Sequence, residues 1–286
     1  MHRLDWRVIR RLDGLMQGDY RTLFYGTGID FADLREYQLQ DDIRHIDWNV
    51  TARMDSPYVR QYVEDRDITA WFLLDLSPSM AFGPAGRPKE MVLIDFVTTL
   101  ARLLTRSGNR VGAILYTNRV ERTIEPRSGR SQVLRLTREL LRHTQTKPGK
   151  ETDLNELLQA GLGTFKRRSL VFVVSDFMSV AGWQRPLSLL NRRHELIAIR
   201  LWDPREVELP DAGILVVEDA ETGEQLYVDT SQPEFRRNFQ AVVQQREQLL
   251  KESIKRTGVD LFAVSTEEDL VGAIVRMATL RKRKRR

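Results

Sequence analysis

The sequence contains no cysteine, which excludes disulfides, thiolate metal centres and a cysteine nucleophile and fits a reducing compartment. Histidine is scarce as well. The four present are His2, His45, His143 and His194, and none falls within the motif described below, so a histidine-based relay has little to draw on. No apolar run approaches the roughly 18 to 20 residues that span a bilayer. The stretch MHRLDWRVIRRLDG mixes charge with apolar residues and lacks a signal-peptide core. The expectation is a soluble, cytoplasmic protein with no transmembrane segment. Basic charge is also missing from most of the chain, despite a net charge of +5 and a pI near 9.5. Residues Arg281 to Arg286 (RKRKRR) are all cationic, and without these six the net charge falls from +5 to −1. A basic face with interleaved aromatics is absent, so nucleic acid is not an expected partner. The run itself is where a nucleic acid, an anionic lipid or an acidic partner would touch the chain. The plainer reading is a solvated helix end continuing into a basic tail, 281–286.

What remains is a well-stocked globular chain. Apolar residues make up 41% and charged residues 30% of 286 positions, enough for one large domain or a domain with a companion module. From Ile68 onward, apolar strands alternate with amphipathic helices. Ile68 to Leu76 (ITAWFLLDL), Val111 to Tyr116, Leu170 to Ser175 (LVFVVS), Leu196 to Trp202 and Val259 to Val264 read as strands buried on both faces. Val120 to Ile124 reads as a shorter edge strand. Helices are expected after Pro88, over Ser131 to Leu141, Asp153 to Phe165 and Gln184 to Arg193, along a long stretch with apolar positions from 235 to 254, and from about Glu267. Asp153 suits an N-cap with Glu156 three residues on, and Ser107-Gly108-Asn109 supplies a helix stop. Within 205–232, GILVVED and QLYVD flank Glu221-Thr222-Gly223-Glu224, a hairpin inserted into the αβ rhythm. The predicted fold class is α/β, a doubly wound, mostly parallel, Rossmann-type sheet over 68–280. It is preceded by an N-terminal extension, 1–67, packed on that core.

In such sheets ligands bind beyond the carboxyl ends of the strands, where the strand order reverses. Two predicted strands end in a carboxylate, WFLLD at Asp75 and FVVSD at Asp176. Asp75, Ser77 and Ser79 put three oxygen side chains on one strand-end loop, and Thr152 stands at a predicted helix start that opens on the same edge. Hard oxygen ligands suit a hard cation, and hydroxyls with few carboxylates suit Mg²⁺ better than Ca²⁺. The bland alternative makes Ser77 and Ser79 loop caps and Asp75 a helix N-terminal residue.

Asp75-Leu76-Ser77-Pro78-Ser79-Met80, then Thr152, then Asp176 after an apolar strand, resemble the metal-ion-dependent adhesion site (MIDAS) of von Willebrand factor A domains. The resemblance implies that Ser77, Ser79 and Thr152 coordinate the metal directly while Asp75 and Asp176 act largely through water. The cation would be Mg²⁺, with Mn²⁺ or Ca²⁺ as alternatives, and an open coordination position would accept a partner's carboxylate. Upstream, Gly28-Ile29-Asp30-Phe31-Ala32-Asp33-Leu34-Arg35-Glu36-Tyr37, Asp41-Asp42-Ile43-Arg44-His45-Ile46-Asp47-Trp48 and Thr51-Ala52-Arg53 look like the signature of the bacterial domain-of-unknown-function family 58 (DUF58). That resemblance implies association with a MoxR-type AAA+ ATPase in chaperone-like machinery.

Read for itself, the upstream block alternates charge sign and suits an ion-pair network, with Tyr37 and Trp48 packed at the domain junction. His45 and Asp47 offer an alternative metal or acid–base pair, and partner docking is a third reading. Gly26 and Gly28 form no phosphate loop, because a Walker lysine and its helix are missing. The leading expectation is a non-enzymatic, metal-dependent protein-binding module whose partner, such as the ATPase or its client, offers an acidic side chain; no small-molecule substrate is expected. The competing readings are a metal-dependent hydrolase using Asp75, Asp176 and His45, and a nucleic-acid adaptor acting through the basic tail.

Overall fold

The computed structural model describes residues 34–38, 43, 46, 48–54, 56–60, 68–143 and 151–284. Leu4 to Leu15, whose mixed pattern suits a short amphipathic helix, lies outside those residues, as do the glycines at 26 and 28, both His45 and Asp47, and 61–67 beside the expected boundary near 68. Strands β1 (Leu34–Glu36) and β2 (Tyr58–Arg60) pair antiparallel. Between them lies a four-residue helix, α1 (Trp48–Thr51). Thr51 Oγ1 accepts the Tyr58 amide at 3.0 Å and ties helix to strand. Trp48 is 67% exposed, which corrects the expectation of an aromatic packed at a junction. One helical turn presents too narrow an apolar face to bury an indole.

The main sheet has six strands in the order β10-β7-β6-β3-β4-β5. Five of them, β3 (Thr69–Asp75), β4 (Arg110–Tyr116), β6 (Leu170–Ser175), β7 (Glu195–Trp202) and β10 (Asp260–Ser265), run parallel. The edge strand β5 (Val120–Arg127) is antiparallel to β4. It is exposed along most of its length and buries Ile124, as an edge strand can. The central runs are apolar at nearly every position because both faces are covered. Helices α2 (Lys89–Arg106), α3 (Arg130–Arg142) and α7 (Leu270–Lys284) bury one face through a cluster that includes Phe72, Phe96, Phe172 and Ile274. Helices α4 (Leu154–Thr164), α5 (Gln184–Arg193) and α6 (Pro233–Arg256) bury the other through Trp71, Leu158, Phe165 and Leu187. This is an α/β fold with a mostly parallel sheet, as the alternating pattern implied.

Strand β3 is flanked by β6 on one side and β4 on the other. The chain therefore leaves β3 in one direction to build β4 and β5, then returns to place β6 on its other side. The carboxyl ends of β3 and β6 form the crevice where the order reverses, the place such sheets bind ligands. Beyond the sheet, β8 (Ile214–Glu218) and β9 (Gln225–Asp229) pair as a separate antiparallel hairpin. Arg281 corrects one detail of the tail. It lies on α7, is 4% exposed and is ion-paired with Glu195, so the first cation of RKRKRR is not solvated.

Candidate metal centre

Asp75 is the last residue of β3, and its carboxylate folds the following loop onto itself. Oδ1 accepts the Ser77 amide at 3.0 Å and Oδ2 accepts the Ser175 hydroxyl at 2.6 Å. The second bond crosses from β3 to the end of β6, so the two strand ends are cross-linked beneath the site. Ser77 and Ser79 then sit with hydroxyl oxygens 3.1 Å apart, and both residues are buried. A short 3₁₀ turn over Pro78–Ala81, opened by Pro78 at its first position, fixes that spacing.

Asp176 follows β6 directly. Its Oδ1 accepts the Met178 amide at 2.9 Å, and Phe177 adopts the left-handed conformation at φ 59° between them. A bulky residue held there stores backbone strain, which structures retain where a loop must be re-aimed. Phe177 is stabilised in place by its amide bond to Ser175 Oγ at 2.8 Å and by edge contact with Trp183 at 5.6 Å. The loop that carries Thr152 is tied to the same edge at three points. The Val180 amide donates to the Thr152 carbonyl, the Leu154 amide to Ser179 Oγ, and the Asp153 amide to the Tyr116 hydroxyl. Asp153 caps α4 through the Asn155 amide at 2.9 Å. The structure thus brings Asp75, Ser77, Ser79, Thr152 and Asp176 to one crevice, all of them buried.

Three further residues belong to the site without any sign in the sequence pattern. Lys89, first residue of α2 and fully buried, donates to Asp176 Oδ2 at 2.7 Å and also to Glu206. Glu221, in the turn of the β8–β9 hairpin, places Oε1 2.8 Å from the Thr152 hydroxyl and 3.3 Å from the Ser79 amide, both of which donate to it. Ser175 is the cross-strand donor already described. Glu221 was legible only as a turn residue, and Lys89 only as a helix start; nothing local marks either as a site residue.

The electrostatics show a region short of positive charge. Among the described residues, four carboxylates, Asp75, Asp176, Glu206 and Glu221, gather around one hydrogen-bonded ammonium, Lys89. Burial, and then the charge of Asp176, push the Asp75 carboxyl up to about 7. Burial would raise Asp176 as well, but the Lys89 charge, together with hydrogen bonds from Lys89, the Met178 amide and Ser79, outweighs it and holds Asp176 below the usual carboxylate range. Burial lowers Lys89, yet Asp176 and Glu206 together keep it above the ordinary lysine value. Glu221 is raised chiefly by burial. Its second oxygen, Oε2, is buried with no hydrogen-bond partner among the described residues.

The donor chemistry fits a hard divalent cation. Every candidate ligand is oxygen, the hydroxyls of Ser77, Ser79 and Thr152 converge with two carboxylates, and an orphaned carboxylate oxygen lies at the same place. Among the described residues no three His, Cys, Asp or Glu side chains gather at metal-ligand spacing; the set is hydroxyl-rich. The cleft that touches Asp176 has a volume of about 170 Å³ and is lined in part by Arg200 and Glu247, themselves ion-paired. Among the described residues no helix is long and apolar enough to cross a membrane.

Comparison with known proteins agrees with this architecture. Uncharacterized proteins Rv1480 of Mycobacterium tuberculosis and Mb1516 of Mycobacterium bovis are each 33% identical over 282 residues, covering 98% of this chain and 88% of theirs. An aerotolerance-related membrane protein from Bacteroides fragilis superimposes with a TM-score of 0.50 at 14% identity, covering 74% of this chain and 99% of that one. At that identity the likeness shows the fold alone. BatB from Bacteroides thetaiotaomicron matches at a TM-score of 0.48 and 14% identity, over 76% of this chain and 99% of its own. Residues 33–249 match the family described as Protein of unknown function DUF58, and this chain belongs to that family.

Proposed function

We propose that this protein is a von Willebrand factor A-like, metal-dependent docking module and not an enzyme. The observation that carries the reading is the meeting of Asp75, Ser77, Ser79, Thr152 and Asp176 in one buried crevice at the sheet's switch point. Ser77, Ser79 and Thr152 would hold the cation directly, with Asp75 and Asp176 acting through water. When bound, Mg²⁺ supplies an electrophilic position that a partner's carboxylate can occupy.

The chain's own residues prepare that position. Asp75 and Ser175 lock the two strand ends together, Asp153 and Tyr116 hold the Thr152 loop, and Lys89 keeps Asp176 ionised. A hydrolase would need a nucleophile with an adjacent base and a place for substrate; we read the Thr152 hydroxyl and the Glu221 carboxylate it donates to as cation ligands, and the Lys89 amine is held by Asp176 and Glu206. His45, the base of the competing hydrolase reading, lies outside the described residues.

The partner we propose is an acidic segment of a MoxR-type AAA+ ATPase or of its client, met in the cytoplasm. A pull-down with wild type and Asp75→Ala, in Mg²⁺ and in EDTA, tests this. Capture of the ATPase in Mg²⁺ that is lost in both EDTA and the variant is the expected result. A complex indifferent to both would overturn the docking mechanism, and phosphoester or peptide turnover lost in Asp75→Ala would favour the hydrolase.

A further inference from the structure

The turn of the β8–β9 hairpin is built before it meets the crevice. Asp219 Oδ1 accepts the amides of Glu221 and Thr222 and the Thr222 hydroxyl, and the Gly223 amide closes on the Asp219 carbonyl. These bonds leave residue 221 with a fixed direction. Its side chain crosses to the sheet edge and meets groups 142 and 69 positions away in sequence, the Ser79 amide and the Thr152 hydroxyl.

The strands behind the turn are loosely held by comparison. Ile214 is 74%, Leu226 65% and Tyr227 74% exposed. Val228 is buried, but the hairpin's other apolar side chains are partly or largely exposed, and the tip reaches the sheet edge through the Glu221 carboxylate. Of that carboxylate's two oxygens, one takes both hydrogen bonds and the other is buried with no partner among the described residues. A buried carboxylate oxygen without a partner costs free energy unless something else satisfies it. The three hydroxyl residues gathered beside it are the candidate ligands already identified.

We propose that Glu221 is a tethered ligand of the strand-edge site, occupying the position that a partner's carboxylate takes on docking. This rests on the metal-site reading above and adds a gate to it. Oε2 completes the coordination of a bound cation while the hairpin is down. A partner carboxylate must displace Glu221, and the hairpin then lifts from Ser79 and Thr152. Docking is thus a competition between an internal and an external acid, and only a partner that also holds the freed hairpin wins it. The same principle lets a preorganised internal contact set the threshold for an external one.

Mn²⁺ alone is a sufficient probe, because it reports both affinity and coordinated water. Wild type, Glu221→Ala, Glu221→Gln and Asp75→Asn would be titrated with Mn²⁺, following free Mn²⁺ by electron paramagnetic resonance and bound Mn²⁺ by water-proton relaxation. The expected result for Glu221→Ala is an affinity lower by about 10- to 100-fold, the scale seen when a metal site loses a supporting group. Relaxation per bound ion should rise as water enters the vacated position, and Glu221→Gln should fall between. Unchanged affinity and hydration in Glu221→Ala, with binding lost in Asp75→Asn, would overturn the tethered ligand and leave the metal site standing. Tighter binding in Glu221→Ala would also overturn it, making the carboxylate a competitor of the ion. No Mn²⁺ binding by wild type and Glu221→Ala alike would overturn the metal site and the tether together.

Discussion

Replacing Lys89 with methionine isolates the electrostatic core of the site from its packing. The methionine follows the path of the lysine stem and keeps most of its apolar contact, so the change removes little more than the ammonium. That ammonium is fully buried, lies 2.7 Å from Asp176 Oδ2, whose side chain is 1% exposed, and also bonds Glu206. Without it Asp176 is a buried anion that has lost its hydrogen-bonded cation, next to a second buried carboxylate, Asp75. Breaking a buried pair by deleting one partner costs about 3–5 kcal/mol, because the remaining charge is left uncompensated. Against a total stability of roughly 5–15 kcal/mol that is about a fifth or more of the fold's margin. Urea denaturation in EDTA, followed by far-ultraviolet circular dichroism, measures the loss in Lys89→Met. The Lys89→Met/Asp176→Asn double variant then removes the stranded charge. It should recover about 0.5–3 kcal/mol relative to additivity, the range for residues in direct contact. A Lys89→Met protein within about 1 kcal/mol of wild type, or strict additivity of the two changes, would refute the reasoning.

Two further changes test how the crevice is braced. Tyr116→Phe deletes the hydroxyl that accepts the Asp153 amide at 3.0 Å. It should cost about 1–3 kcal/mol through the unpaired amide and speed hydrogen exchange at Asp153 while exchange in β3 stays slow. Gly112→Ala tests the close packing of β4 against the edge strand. A Cβ there meets the Ile124 carbonyl at 2.8 Å and the Trp71 ring at 2.9 Å, so the variant should lose about 1–3 kcal/mol in chemical denaturation. Wild-type stability in either variant would count against the contact concerned.

The parts of this molecule that could be read from its sequence are those governed by neighbours in the chain. Runs such as WFLLD and LVFVVS are apolar up to their last residue because helices cover both faces, and that pattern survives without knowing which helices. Asp75 and Asp176 were legible because a carboxylate ending such a run sits at the ligand-binding edge wherever the strand falls in the sheet. Ser77 and Ser79 followed from spacing on the same loop. Lys89, Glu206 and Glu221 were not legible, since their roles depend on contacts 87, 117 and 142 residues apart. Only the strand order, with β6 returning to the far side of β3, brings those segments together. Trp48 misled for the opposite reason. An indole in a charged stretch suggests a packed anchor, but the helix that carries it is a single turn, and tertiary contacts decide burial there. Arg281 misled in the same way, as a cation in a basic run that the fold pairs with Glu195.

Anomalous diffraction from crystals soaked in MnCl₂ tests the central claim most directly, because it places the ion without reference to any partner. The account predicts one peak per chain, bounded by Ser77, Ser79 and Thr152 and absent from Asp75→Asn crystals. A peak elsewhere, or none at millimolar Mn²⁺, would contradict it.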